Sequence, residues 1–577
     1  MANPGIKTAT SSVIGTDTVL HSTMSSTSEK KAASDIVELP GVDEAISTGG
    51  KVFTPDWRFW VILTSLGITS LLTAIEASVT STALPSVAKA LDAKELYVWF
   101  ASAFFLTSTI SQPLFGQFAN VFGRRWPIIV AVALFALGSG ICGGATSSAM
   151  LIAGRGIQGI GVGGVNVMID CIVCDLVPLR ERPNYMAFIF LIFAVGSSLG
   201  PFVGGVLVDR ATWRWIFYIS LPVAGTSLFL MLIFLQVEYR KQTTFEQKMK
   251  RIDWLGNFLL SGAVISILYA LTYAGALSPW SSWKIIFPLV LGIVVYILFH
   301  VYEASSYCVE PTIPPRMFGN RTSAIAFIAT FIHGMLTYWT LYFLPVYFQG
   351  VLQSTPTRSG VQLLPTVIVL VPFAIFAALW TTKTGRYKPP QLVGWAFMVA
   401  GLGALSTLDP NSSTAKWAIF QILIAMGSGM INTPLLPAIQ AGLPESDVAA
   451  SAATWSFMRA FGSIWGVSIP GAILDNQFNS IVAGLSDKSI SDRLVGGSAY
   501  QQASKEFINS FSPDVRIELI DAYSRSLKIV WYVALGFGIL GFIITWGEKE
   551  IALRETLETD YGMKERKAKT LNASNNA

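Results

Sequence analysis

The sequence predicts an all-α membrane protein with many spans, and three observations lead there. Of 577 residues, 52% are hydrophobic and only 13% are charged, against about 25% charged residues in a soluble globular chain. The mean hydropathy is +0.54. The apolar residues are gathered into stretches of about twenty, the length that crosses a hydrocarbon layer as a helix. A soluble multi-domain protein, a disordered chain and a nucleic-acid binder are all excluded on charge. The net charge of +5 is small and dispersed, so no polyanion partner is implied. Four Cys and three His do not make a disulfide framework or a zinc site.

Residues 1–54 are rich in Ser, Thr and Ala, with scattered charge and no apolar period. They read as a disordered tail. No apolar core follows a basic start, so no signal peptide is expected and the tail stays in the cytosol. After Pro55 the apolar stretches centre near Thr69, Thr107, Leu134, Val162, Ser197 and Leu228. Further stretches centre near Ile265 and Leu291, then Thr330, Val369, Val399, Ile424, Trp465 and Leu535. Fourteen spans result. Basic residues on short loops mark the cytosolic side. With the tail inside, the inner loops carry Arg124 and Arg125, Arg180 and Arg182, Lys248 to Arg251, Arg316, Arg321, Lys383, Arg386 and Lys388. An even span count returns residues 548–577 to the cytosol as a second tail. One long outer loop, about 476–525, separates the last two spans, and its Ser512-Pro513-Asp514 suits the start of a short surface helix. Of the Asn-x-Ser/Thr sites at Asn320, Asn411 and Asn572, only Asn411 falls outside, making it the candidate glycan acceptor.

The chain echoes itself at an offset of about 262–266 residues. Gly123-Arg124-Arg125-Trp126-Pro127 matches Gly385-Arg386-Tyr387-Lys388-Pro389. Gly161 and Gly163 with Asn166 match Gly427 and Gly429 with Asn432, and Gly196 and Gly200 match Gly462 and Gly466. The offset equals six spans plus two. Two six-helix halves, 55–238 and 305–547, with a linker and two extra helices at 239–304 between them, account for all fourteen. Two like halves about a midplane cavity suit alternating access.

Glu76 is the sharpest functional candidate. A carboxylate inside a span costs several kcal/mol unless paired, hydrated or protonated. Ser65, Thr69, Thr73 and Thr80 share its helical face and read as the wet wall of a cavity. The alternative is a structural Glu permanently paired with Arg. Arg155 in span four lies at a similar depth, so a Glu76–Arg155 pair is expected. On the same helix Gln158, Asn166 and Asp170 fall within one polar arc with Arg155. Asp170, about 22 Å further toward the cytosol at ~1.5 Å per residue, takes protons or a cationic substrate, or merely faces the inner vestibule. Asp175 at the inner end of the span is expected to pair with Arg124 or Arg125. On span nine, His333, Tyr338, Trp339 and Tyr342 suit an aromatic cavity wall for an amphipathic ligand, although spans also use aromatics for packing. Arg459 in span thirteen needs a buried partner or a cavity.

Five motifs carry a family resemblance. They are Ala74-Ile75-Glu76-Ala77-Ser78 through Thr82-Ala83-Leu84-Pro85, the loop Gly116-Gln117-Phe118-Ala119-Asn120-Val121-Phe122-Gly123-Arg124-Arg125, and Arg155-Gly156-Ile157-Gln158-Gly159. The fourth is Gly196-Ser197-Ser198-Leu199-Gly200-Pro201-Phe202-Val203-Gly204-Gly205, and the fifth is Phe343-Leu344-Pro345 through Leu364-Pro365. Residues 56–547 resemble the major facilitator superfamily and, within it, fourteen-span drug:proton antiporters of fungal type. The resemblance implies the two-half fold, proton-coupled export of drugs or secondary metabolites, and a monomer in the plasma membrane or the vacuolar membrane. It also implies proton coupling through Arg155 with Glu76, a gating loop of Gly116, Asn120, Gly123, Arg124 and Arg125 latched through Asp175, and an antiporter motif of Gly196, Gly200, Pro201, Gly204 and Gly205. That motif reads as a hinge and a seal between the halves. The loop departs from the family at Asn120, where Asp is usual, which weakens the acidic side of the latch. Carriers of siderophores or vacuolar amino acids are the alternative within the superfamily; a receptor on a transporter fold is the alternative outside it. Neither a nucleophile–base pair, a metal cluster nor a nucleotide-binding loop is seen in the sequence, so no enzyme activity and no cofactor are expected.

Overall fold

The computed structural model describes residues 55–91, 97–236, 244–274, 278–308, 310–482, 499–500 and 502–555. The expected N-terminal tail and the end of the C-terminal tail lie outside these residues. Among the described residues there is no β-strand, only one isolated bridge between Ala274 and Ser278.

Among the described residues, fourteen long helices follow in order: α1 (Trp57–Ala90), α2 (Tyr97–Phe122), α3 (Arg125–Gly143), α4 (Ser148–Leu176), α5 (Arg182–Arg210) and α6 (Trp215–Phe234). Then come α7 (Trp254–Tyr273), α8 (Trp283–Glu303), α9 (Arg321–Val346), α10 (Leu364–Thr384), α11 (Lys388–Leu405), α12 (Thr414–Ala441), α13 (Val448–Val482) and α14 (Pro513–Trp546). Among the described residues, eleven helices are long and apolar enough to cross a membrane, and the expected count of fourteen is consistent with the helices seen. Caps start the helices where the sequence offers them. The Asp56 carboxylate accepts from the Trp57 amide, Ser147 from Met150 and Ser413 from Lys416, each satisfying a donor that a helix start leaves free.

The internal repeat is visible in how the helices pack. α1 lies against α5 as α9 lies against α13; α4 packs on α2 and α3 as α12 packs on α10 and α11; α6 and α14 close the two sets in the same way. Gly123 and Gly385, matched by the offset, both adopt positive φ, +80° and +70°, the left-handed conformation that favours glycine. The extra pair α7 and α8 packs together and rests on α2. The halves meet through α2 against α13 and α5 against α10.

The last outer loop is shorter than the sequence reading expects. α13 continues to Val482 and Pro513 opens α14 itself, not a separate surface helix. Burial of Phe478, Leu519 and Tyr523 explains the extension, with the Phe478 and Tyr523 rings 4.3 Å apart. Among the described residues of the connection, one short helix is present, Lys505–Asn509.

The start of the C-terminal tail is also bound to the bundle. The Tyr387 hydroxyl donates to the Lys549 carbonyl at 2.5 Å and accepts from the Ile551 amide at 3.0 Å. Lys388 Nζ donates to the carbonyls of Trp546 and Glu548. Glu548 is 2% exposed, and neither of its carboxylate oxygens has a hydrogen-bond partner. Burial pushes its carboxyl up to about 8, only partly offset by Lys388. The folded state therefore holds a proton that the unfolded chain releases above its ordinary value of 4.5. The stability contributed by that proton is full below pH 4.5 and is lost progressively up to pH 8. The thermal midpoint of the purified protein is expected to fall over this window, and Glu548→Gln should flatten the fall when both are melted at several pH values.

Candidate functional site

The N-terminal half encloses an ion pair supported by five helices. Glu76 on α1 and Arg155 on α4 are 0% and 1% exposed, and Arg155 Nη1 donates to Glu76 Oε1 at 2.8 Å. The second carboxylate oxygen, Oε2, accepts from the Ser220 hydroxyl of α6 at 3.1 Å. Arg155 Nη1 also donates to Gln158 Oε1 at 2.7 Å, and Gln158 Nε2 donates to Ser139 Oγ of α3 at 2.8 Å. On α2, the Phe100 carbonyl accepts from Arg155 Nε at 2.9 Å, and the Phe104 ring lies 4.1 Å beneath the guanidinium. A buried ion pair persists when its remaining donors and acceptors are met, and here both partners have several.

The expected pair is therefore present, but two sequence assignments change around it. Gln158, whose place in the polar arc suggests the wall of a substrate cavity, is 0% exposed and instead anchors the guanidinium. Ser65, Thr69 and Thr73 are buried and do not form a wet wall. Thr69 meets Ser227 of α6 at 2.5 Å, while Ser65 and Thr73 bond to their own helix, because α6 covers that face. The side chain of Thr80 lies outside the described residues. Ser220, Ser139 and the Phe100 carbonyl were not foreseen; a hydroxyl or a carbonyl on another helix carries no sequence signal that it faces the pair.

The glycines of α5 hold α1 in place. A Cβ at Gly196 would stand 2.9 Å from the Leu71 carbonyl, and one at Gly200 would collide with Ser78. These two contacts lie within one half, so Gly196 and Gly200 pack α5 on α1, while α5 also meets α10 of the other half. Gly462 and Gly466 of α13 likewise press on Phe331 and Met335 of α9. Gly204 is buried; the surroundings of Pro201 and Gly205 lie outside the described residues.

At the end of the bundle that carries the basic loops, inner by the charge rule, Asp175 is paired with Arg124 at 2.5 Å, both nearly buried. Arg124 also donates to the Ala119 carbonyl. Arg125 points elsewhere, to the Leu232 carbonyl at 2.7 Å. Gly116 of α2 sits directly against Ala453 of α13, where no Cβ fits. Arg182 donates to Gln440 at 2.8 Å, Cys171 and Cys174 reach Ala449 and Gln440, and Arg180 bonds to Thr382, Lys383 and Glu555. Among the described residues, the hydrogen bonds joining the two halves lie at this end, which is closed. Asn120 borders a cavity of about 260 Å³ here, with Gln117, Glu310 and Arg316.

A second group of polar residues lies between the halves. Asp170 is 4% exposed, and its Oδ2 has no hydrogen-bond partner. It does not join the Glu76 cluster; Arg459 of α13 is the charge that acts on it. Arg459 lies over the Trp455 ring at 4.3 Å and the Phe190 ring at 5.7 Å. His333 Nε2 lies 2.9 Å from Ser428 Oγ. Tyr338 and Tyr342 stack at 6.0 Å and are part-exposed. Trp339, expected beside them, is 0% exposed and packs near Phe537 of α14, because one residue along a helix turns the side chain by about 100°. Asn166 and Asn432, matched by the repeat, are both partly exposed.

A charged pair enclosed in one of two like helical sets is a transporter arrangement, and comparison with known proteins agrees. The model of the Major Facilitator Superfamily matches residues 66–467. The chain belongs to that superfamily. It is 46% identical over 515 residues to the MFS-type transporter pydD of an Acremonium species, covering 89% of this chain and 90% of that one. It is 44% identical over 519 residues to the efflux pump FUS6 of Gibberella fujikuroi, covering 90% and 94%. In structure it is similar to the proton:xylose symporter XylE, with a TM-score of 0.53 at 15% identity over 86% of this chain and 98% of that one. The human organic anion transporter MFSD10 is similar with a TM-score of 0.52 at 15% identity, over 84% and 99%. At such identity the likeness concerns the fold. This superfamily member is a multi-pass membrane transporter.

Proposed function

We propose that the chain exports a small amphipathic compound, a drug or a secondary metabolite, in exchange for protons, with Glu76 as the proton acceptor and Arg155 as its counter-charge. The Glu76–Arg155 cluster carries this reading, because it can hold either protonation state. With Glu76 charged, its two oxygens have Arg155 and Ser220. With Glu76 neutral, Arg155 still has the Phe100 carbonyl, Gln158 Oε1 and the Phe104 face. Gaining or losing one proton then switches a cross-helix tie between α1 and α4 while the guanidinium keeps hydrogen-bond acceptors, and such a tie can bias two arrangements of a half.

In this account the inner end opens when the contacts of Gly116 with Ala453 and of Arg182 with Gln440 separate. The Arg124–Asp175 pair holds the loop with Gly123 and Asn120 in the closed form, and Arg125 fixes the neighbouring turn. The second polar group, with Asp170, Arg459, His333, Tyr338 and Tyr342, faces the substrate, flanked by Asn166 and Asn432. The relatives named efflux pump or transporter favour export over uptake. The protein acts as a monomer in the plasma membrane, moves its substrate chemically unchanged, and carries any glycan at the exposed Asn411 between α11 and α12.

Expression in a pump-deficient yeast tests this. Cells carrying the protein should accumulate less of at least one compound in a panel, and a protonophore should abolish the difference. Unchanged accumulation of every compound, with the protein at the cell surface, would contradict export.

A further inference from the structure

Arg459 is a cation with no acceptor. It is half-buried, and among the described residues it makes no hydrogen bond and no ion pair. Two rings hold it, one from each half: Trp455 at 4.3 Å and Phe190 at 5.7 Å. A guanidinium laid over aromatic rings is held by its face, and its five N–H donors remain at its rim. Arginine stays charged in proteins, so those donors need acceptors. Asp170 feels the charge but forms no ion pair with it. Two buried polar atoms nearby are also unmet, Asp170 Oδ2 and His333 Nδ1, and both residues are only 4% exposed. The charge of Arg459 acts on His333 and on Tyr338 as well. The Arg459 backbone presses on Gly334 of α9, next to His333, so buried groups of α4 and α9 with unfilled hydrogen-bonding capacity lie within the field of one guanidinium.

We propose that Arg459 is the recognition group for an acidic substrate: a planar delocalised oxyanion, such as a carboxylate, carried on an apolar unsaturated body. The oxyanion meets the rim of the guanidinium in the bidentate geometry that suits two coplanar oxygens. The body lies along Tyr338 and Tyr342, whose rings are stacked at 16° and extend the aromatic wall. A cationic ligand would have to sit beside a permanent positive charge, with only Asp170 to attract it. This substrate class rests on the transport function proposed above and narrows it.

Binding to the full-length protein in lipid nanodiscs at pH 7 tests the assignment without transport. The probes are 1-pyrenebutyrate, its methyl ester and 4-(1-pyrenyl)butylamine, which share one body and differ in the polar end. Energy transfer from tryptophan to pyrene reports binding. The acid is expected to bind at least about tenfold tighter than the ester and the amine. Arg459→Gln should bring the acid down to the affinity of the ester. Arg459→Lys keeps the charge, loses the fork, and should leave an intermediate preference, while Asp170→Asn should tighten the acid by removing a competing negative charge. Each variant is compared only as a monodisperse protein, and the Lys variant decides if the Gln variant does not fold. Equal affinity for acid and ester in the unmodified protein, an acid preference that survives loss of Arg459, or no binding of any probe would overturn the assignment. Proton-driven export measured separately keeps the two proposals apart. Export of a neutral or cationic compound without acid preference overturns this one alone; acid preference without proton-driven export overturns the coupling alone.

Discussion

Glu76→Gln is expected to abolish uphill export while leaving substrate exchange intact. Glutamine has nearly the shape of a protonated glutamic acid: its Oε1 can accept from Arg155, whose donor lies at 2.8 Å, and its Nε2 can donate to the Ser220 hydroxyl, 3.1 Å from the other oxygen. It cannot release a proton. With a side chain that is always neutral, reorientation no longer depends on proton binding, so counterflow of labelled against unlabelled compound, which needs no net proton movement, continues. Net movement against a gradient falls to the level of cells without the protein. Arg155 would lose its carboxylate partner, and breaking a buried pair from one side costs about 3–5 kcal/mol in general. The Phe100 carbonyl, Gln158 and the Phe104 face should reduce that loss, so the variant is expected to fold with a lower thermal midpoint. Full uphill export by this variant would remove Glu76 from the coupling.

The second large effect is expected at Gly116. This residue brings α2 of one half against Ala453 of α13 in the other, with no space for a Cβ. Leucine there must part the two helices at the inner end. Overpacking a tight contact costs about 1–3 kcal/mol, and 1.4 kcal/mol is a tenfold change in an equilibrium. The closed form of the inner end should therefore be depleted about tenfold or more. Export should fall, and Cys171, buried against the Ala449 carbonyl, should become reactive to a thiol reagent added from the cytosolic side. Normal export with Cys171 still protected would show that this contact is not the gate.

What could be read from the sequence follows the kind of information each feature needs. The Glu76–Arg155 pair was legible because two buried charges of opposite sign at matched depth leave few alternatives. Asp175 with Arg124 or Arg125 was legible for the same reason, and only the choice between the arginines required coordinates. The repeat was legible because Gly123 and Gly385 both need positive φ, which confines the residue type. Helical periodicity was less informative where it depended on a neighbour. It placed Ser65, Thr69 and Thr73 on the face of Glu76, but not the α6 residue Ser227 that covers Thr69. It marked Gly196 and Gly200 as a small surface, but not that α1 fills it. Gln158 and Asp170 share an arc of one helix, yet the first is locked to Arg155 and the second lies in the field of Arg459 from the opposite half. A helical wheel gives direction around one axis; which helix stands in that direction is a tertiary fact.

Coupling of protons to substrate is the central claim, and one reconstitution measures it directly. Purified protein in liposomes, with a pH-sensitive dye trapped inside, is given an outward gradient of an exported compound. The account predicts proton movement opposite to the substrate, which begins with its addition and is absent in Glu76→Gln. It also predicts that an imposed pH gradient alone drives the compound uphill. Substrate movement with no change in the trapped dye, and no response to an imposed pH gradient, would contradict it.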